Sequence, residues 1–193
     1  MGTLLDALHV VNLTASYPNV WTVPGLNVAW YVPVEFMFAG AVGVTVRPEL
    51  DEGLKGSPSD VSRSALVFSL LGLTLAWWGS GYLTRQGVPN SAISSVLTLF
   101  ALGMWAIFDS SRQGAVAATI TAVSGVVVES LIVKTGTYRY SQPDLLGLVP
   151  QWLPSLYITA CVAIGNLGRH MKYSWRPAEE TQTPGVEEPR KVA

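Results

Sequence analysis

Charge is the scarcest commodity in this sequence. Only 13% of its 193 residues are Asp, Glu, Lys or Arg, where soluble domains carry about 25%. The formal balance is −1, which removes the electrostatic case for nucleic acid as a partner. A single cysteine, Cys161, excludes an intrachain disulfide and a Cys-rich metal site. It falls in an apolar run and reads as a small core residue. The two histidines, His9 and His170, stand at opposite ends of the chain, so no metal or cofactor site is expected. The hydrolase, nucleotide-binding and metalloprotease signatures are missing as well: no HExxH, GxSxG, Walker motif or GxGxxG occurs. The first ten residues lack a basic region ahead of their apolar stretch and carry Asp6, which argues against a cleaved signal peptide.

What is abundant is apolar sequence. Hydrophobic residues make up 49% of the chain, with 18 Gly and 7 Trp, a balance that suits a polytopic membrane protein. The expected fold is all-α, an integral membrane bundle of about six helices, the first one short. Residues 1–20 show roughly helical spacing but are too short to cross a bilayer, which takes about 20 residues. Runs of crossing length follow at 26–46, 64–83, 91–108, 115–133 and 149–167. The last of these follows an aromatic and proline-rich elbow, from Tyr138 to Pro154, and the others are expected to gather around it. Residues 1–172 form one domain, and residues 173–193 a cytoplasmic tail, disordered from 177 on.

Three connections matter for the reading. Residues 47–63, rich in Pro, Gly, Ser and charge, are expected as an exposed loop. Residues 86–90 form a short turn. Residues 109–114 are tighter, with Asp109 placed to cap the helix that follows. Glu129, near the end of its run, is expected to be solvated at the interface. Nine of the twelve basic residues then fall on one side (Arg47, Lys55, Arg63, Arg112, Arg169, Lys172, Arg176, Arg190 and Lys191), against Arg85, Lys134 and Arg139 on the other. Cytoplasmic loops carry the excess of Lys and Arg, so the C-terminus is expected in the cytoplasm.

Candidate site residues follow from polarity in apolar surroundings. Glu35 shares its run with Pro33, and an intramembrane carboxylate must face protein or water. Trp77, Trp78 and Tyr82 suit the aromatic belt of a membrane interface. Ser91, Ser94, Ser95 and Thr98 share one helical face, which favours close helix packing. An apolar slot for a lipid would be walled by Trp30, Tyr31, Trp77, Trp78 and Trp105, with Glu35, Ser91 and Ser95 orienting a headgroup at its mouth. The ligand would be a sterol or a diacylglycerol-like lipid. Two other readings stay open: an adaptor that binds a membrane-protein partner or a second copy through small-residue faces such as Gly40-x-x-Gly43, and a small membrane enzyme or carrier acting on lipids or isoprenoids. No paired carboxylates or inverted repeat support the last.

The second half of the chain resembles the insulin-induced gene (Insig) family. The resemblance rests on Gly103-x-Trp105-x-x-Phe108-Asp109-x-Ser111-Arg112-x-Gly114, on Gly136-x-Tyr138-x-Tyr140-Ser141-x-Pro143-Asp144, on Trp152-Leu153-Pro154 and on Gly165-Asn166-Leu167-Gly168-Arg169. Trp30-Tyr31-Val32-Pro33 is similar to the start of the family's second helix. The resemblance implies six membrane helices with both ends cytoplasmic, and a protein that regulates by binding rather than by catalysis. Animal members reside in the endoplasmic reticulum, bind oxysterols, retain the sterol-sensing scaffold SCAP and promote degradation of HMG-CoA reductase. It also implies a partner-binding role for Asp109. Departures accompany it: the family has a longer N-terminal region and a full first helix, and this chain has Ala92 where the family has a sterol-contacting Gln. Arg outnumbering Lys by 8 to 4 points to a bacterial cell membrane, without a SCAP pathway, over the endoplasmic reticulum. A homo-oligomer is a further expectation.

Overall fold

The structure is a computed structural model, and it describes residues 1–18, 20–54 and 61–174. Of the expected 173–193 tail, Tyr173 and Ser174 instead end the last helix, and residues 175–193 lie outside the described residues, as do positions 55–60 of the expected 47–63 loop.

Among the described residues, six helices form in chain order: α1 (Gly2–Val11), α2 (Val32–Gly53), α3 (Arg63–Arg85), α4 (Asn90–Phe108), α5 (Arg112–Lys134) and α6 (Leu153–Ser174). Three of them, α3, α4 and α5, are long and apolar enough to cross a membrane by length and composition. Helices α2 and α6 have 22 residues each, about 33 Å at 1.5 Å per residue, but gather charge in their final turns. Helix α6 is the hub, packing against α2, α3, α4 and α5. Its buried Leu153, Leu156, Val162 and Ala163 face the apolar sides of the surrounding helices.

Helix α1 does not thread the bundle. A methyl group on Gly2 would collide with the Phe36 ring, while Gly81 lies against His9 and Asn12. Phe36 is four residues inside α2, and Gly81 four residues short of the end of α3. The two contacts sit at matching depth, so α1, about 15 Å long, lies across α2 and α3. The chain then forms β1 (Ala15–Ser16), which pairs antiparallel with β2 (Arg139–Tyr140) just before α6. Residues 21–30 close a small hairpin through the Thr22–Ala29 bridge. This end of the bundle is called the clasp end below, and the opposite one the charged end.

Two elements differ from the sequence expectation for one reason, the placement of prolines. Pro33 is not a mid-span kink: it occupies the first turn of α2, where its missing N–H goes unused. Residues 47–53 are not loop: α2 continues through Pro48 to Gly53. A proline inside a helix deprives the carbonyl four residues back of its partner, here that of Val44. That oxygen lies against Gly168 of α6, where an added methyl group would come within 2.3 Å of it. Close approach of α6 through Gly165 and Gly168, together with Gly43 against Ile164, is what makes room for the continued helix.

Candidate functional site

At the charged end, the continued α2 delivers two side chains into the bundle. Arg47 and Asp51 are one helical turn apart on the same face and are 4% and 3% exposed. They meet Asp109 from the α4–α5 turn and Arg169 from α6. Arg47 Nη2 donates to Asp109 Oδ1 and Oδ2, each at 3.0 Å, and to Ser111 Oγ at 3.0 Å, and stands 3.2 Å from Asp51 Oδ1. Arg169 Nε donates to Asp51 Oδ2 at 2.7 Å and its Nη2 to Asp109 Oδ1 at 3.2 Å. Two guanidinium groups and two carboxylates thus balance one another in a buried cluster. Around the rim, Lys172 pairs with Glu49 and Glu52 at 2.7 and 3.0 Å.

The neighbouring motif residues hold this cluster in shape. Ser111, not Asp109, caps α5, accepting from Gly114 N at 2.9 Å; Asp109, whose expected role was that cap, faces the arginines instead. Ser111 Oγ also donates to Asp109. Gly114 is required because any side chain there would strike the Asp109 carboxylate. Trp105 Nε1 donates to Ser111 O at 3.2 Å, and Asn166 Nδ2 to Phe108 O at 3.2 Å. The blocks around Asp109 and around Gly165, about 55 residues apart in sequence, are therefore two halves of one construction.

The clasp end is built from rings, amides and phenols set against single carboxyl groups. Tyr138 and Tyr157 (the latter at 2.8 Å) both donate to the Glu129 carboxyl group. Glu129, expected to be solvated, is instead enclosed by these phenols. Burial pushes the Tyr138 phenol well above its ordinary range, so it keeps the proton it donates. Tyr138 stacks on Tyr17 at 5.4 Å, and Tyr140 meets Trp152 edge-on at 6.2 Å. Trp152 Nε1 donates to Asn90 Oδ1 at 3.1 Å, and Asn90 Nδ2 to Gln142 O at 2.8 Å. The Asp144 carboxylate accepts from Gln151 N at 2.7 Å, which closes the elbow ahead of α6.

The residues expected to wall a lipid slot are dispersed. Trp30 and Tyr31 adjoin at the clasp end, and Glu35 follows them, exposed, in the first turn of α2. Trp77 belongs to the core, stacked 5.3 Å from His9, rather than to an interfacial belt. Trp78 is exposed and stacks on Tyr82 at 5.1 Å. Ser91 and Ser95 face outward, with Ser95 Oγ returned to Ser91 O, whereas Ser94 and Thr98 turn inward, to Gln151 O and Ser155 Oγ. Trp105 is at the charged end. What the structure does hold is a laterally open apolar groove of about 530 Å³ between α3 and α4, lined by Phe68, Leu71, Gly72, Leu75, Phe100, Gly103, Met104, Ile107 and Phe108. None of the expected residues lines it. Among the described residues, no group of three or more His, Cys, Asp or Glu is placed to hold a metal ion.

No family model matches the chain. The insulin-induced gene 1 protein of Danio rerio is 30% identical over 173 residues, 89% of this chain and 67% of that protein. The human insulin-induced gene 1 protein is 26% identical over the same 89%, which covers 61% of its length. Among solved structures, the mycobacterial Insig homolog MvINS from Mycobacterium vanbaalenii superposes with a TM-score of 0.79 at 23% identity, covering 91% of this chain and 89% of that one. A cross-linked MvINS trimer superposes with a TM-score of 0.77 at 22% identity.

Proposed function

The chain belongs to the insulin-induced gene family, and on that premise we propose that it is a multi-pass membrane protein that binds a lipid and acts by binding, not by turnover. The observation that carries this reading is the groove between α3 and α4. Its lining residues are all apolar and it opens between two helices long and apolar enough to cross a membrane, which suits the body of a sterol or the chain of a diacylglycerol-like lipid. Its volume lies within the roughly 300–1,000 Å³ of small-molecule sites. The lipid contacts expected at Trp30, Tyr31, Glu35, Trp77, Trp78, Ser91, Ser95 and Trp105 give way in this proposal to the nine residues that line the groove.

The rest of the proposal follows the family. The MvINS trimer supports a homo-oligomer. The excess of basic residues at the charged end supports a cytoplasmic C-terminus, and the composition supports a bacterial cell membrane. Residues 1–172 would act as one domain. Asp109 would serve partner binding indirectly, since its carboxylate is held by Arg47 and Arg169 and shapes the α4–α5 turn.

The test uses Gly103, which lines the groove yet has nothing within 4 Å of an added Cβ. Gly103→Leu fills the groove without touching a neighbour through that atom. Native mass spectrometry of the wild-type protein in mild detergent should show one bound lipid per chain. Gly103→Leu should lower that occupancy by roughly tenfold, the equivalent of about 1.4 kcal/mol, with thermal stability unchanged. An unliganded wild-type protein, or equal occupancy in the two, would sink the reading.

A further inference from the structure

The longest charge-free stretch in the chain is not a membrane-spanning helix. No Asp, Glu, Lys or Arg lies between Asp6 and Glu35, and most of that interval, residues 12–18 and 20–31, is non-helical connection at the clasp end. A connection of this length facing water would ordinarily carry charge. Here it displays large apolar side chains: Leu13 is 72% exposed, Trp21 68% and Trp30 54%. Leu146, in the neighbouring elbow before α6, is 77% exposed.

The backbone shows that these side chains are not incidental. Leu13 and Leu146 both have φ in the left-handed region, at 58° and 57°, where glycine or asparagine is the low-strain choice. Each holds an exposed leucine there. Meanwhile the polar backbone of the connection is turned on itself. Trp30 N bonds to Trp21 O, Val23 N to Val28 O, Thr14 N to His9 O and Ser141 N to Thr14 O. Irregular backbone at membrane depth is tolerated only where its groups find internal partners. The crosswise α1 continues the same surface, with Leu4 and Val11 exposed about one turn inside the ends of α2 and α3.

We propose that the clasp end docks into the lipid surface: α1 and this connection lie in the interfacial layer of the leaflet on that side, with Leu13, Trp21, Trp30 and Leu146 inserted among the lipids. The occupant is lipid rather than a soluble partner for two reasons. The helices that α1 lies across expose apolar side chains beside it, Met37 and Phe38 on α2 and Trp78 and Tyr82 on α3. The indoles of Trp21 and Trp30 are also side chains that favour the headgroup boundary, with an apolar ring and a polar N–H. The proposal concerns where the protein meets the bilayer, and stands apart from occupancy of the α3–α4 groove.

Spin labels test it directly. In a Cys161→Ser background, single cysteines are introduced as Leu13→Cys, Trp21→Cys and Leu146→Cys. Glu49→Cys, exposed at the charged end, is the water reference, and Leu99→Cys, exposed on α4, the lipid reference. The full chain is reconstituted in phosphatidylcholine vesicles, and power-saturation spectroscopy reads collision with oxygen and with a water-soluble nickel chelate. The three labels should collide with nickel severalfold less than the Glu49→Cys label and with oxygen nearly as often as the Leu99→Cys label. Nickel collision equal to that at Glu49→Cys would put the surface in water and overturn the proposal. Low collision with both reagents would also overturn it, since a second copy or another protein would then be covering the surface. Each site is read independently, on variants that elute from size exclusion as the wild type does.

Discussion

The two ends of this bundle are held by opposite means. At the charged end, two arginines and two aspartates from α2, the α4–α5 turn and α6 are buried together, and each has at least one partner on an element distant in sequence. At the clasp end the joints are separate: a two-residue strand pair, stacked tyrosines, indole–amide bonds and phenols on one carboxyl group. The difference is one of brittleness. A buried ion cluster is only weakly stabilising against an apolar alternative, but removing one member strands a charge, at about 3–5 kcal/mol. Single hydrogen bonds contribute about 0.5–1.5 kcal/mol each, and the loss of one leaves the others in place. The charged end should therefore fail all at once, and the clasp end by degrees.

The largest effect is expected from Asp109→Ala. It leaves Arg47 and Arg169 sharing Asp51 alone, and should lower stability by about 3–5 kcal/mol, read as a fall in the thermal midpoint in detergent. Arg47→Met in the same chain restores charge balance, because the Arg169–Asp51 pair, at 2.7 Å, remains. The double variant should recover more than half of the loss. An Asp109→Ala protein that melts with the wild type would mean that the cluster is not holding the charged end together. A double variant no better than the single one would mean that shape, not charge, is what Asp109 supplies.

A second variant at the same end separates shape from charge. Gly168→Ala adds one methyl group at 2.3 Å from the Val44 carbonyl oxygen, so α2 and α6 must move apart. Backbone cannot yield as a side chain does, and overpacking of this kind costs about 1–3 kcal/mol. Because Arg47 and Arg169 ride on the two helices that separate, the effect should be smaller in Arg47→Met/Asp109→Ala than in the wild type. Additive losses in the two backgrounds would show that the helix spacing and the ion cluster are independent.

These two predictions also mark what could and could not be read from the chain. The helix count and the central place of α6 are legible, because apolar run length reports on them directly. The ion cluster is not. Pro48 in a segment dense with Gly, Ser and charge reads as the end of a helix, and only the Gly168 approach to Val44, a tertiary fact, lets α2 run on to present Arg47 and Asp51. The i,i+4 spacing of those two was the available signal. Asp109 stands out in the motif, but its neighbours suggest only a local capping role, since a capping position can be judged from neighbours and a distant arginine cannot. Glu129 was misplaced for the same reason: Tyr138 is near in sequence but Tyr157 is not. The dispersal of the expected slot residues has a different cause. Aromatic and hydroxyl side chains were grouped by type, and type does not report which side of a helix meets its neighbours: Trp77 and Trp78 are adjacent, one in the core and one outside.

Tyr138→Phe gives the smallest expected effect and the clearest reading of the clasp end. The ring stays, with its stacking on Tyr17 and its edge contact with Tyr140, and only the hydroxyl donated to Glu129 is lost. Glu129 keeps the bond from Tyr157 at 2.8 Å, so the carboxyl group is not abandoned. The loss should be about 0.5–1.5 kcal/mol, severalfold less than for Asp109→Ala. Glu129→Gln, which keeps a carbonyl acceptor for either phenol, should cost no more. A drop as large as that of Asp109→Ala would erase the distinction between the two ends, since it would make Glu129 and its tyrosines a unit as brittle as the ion cluster. A graded loss, deepening again when Tyr157→Phe is added, is what a joint made of separable contacts requires.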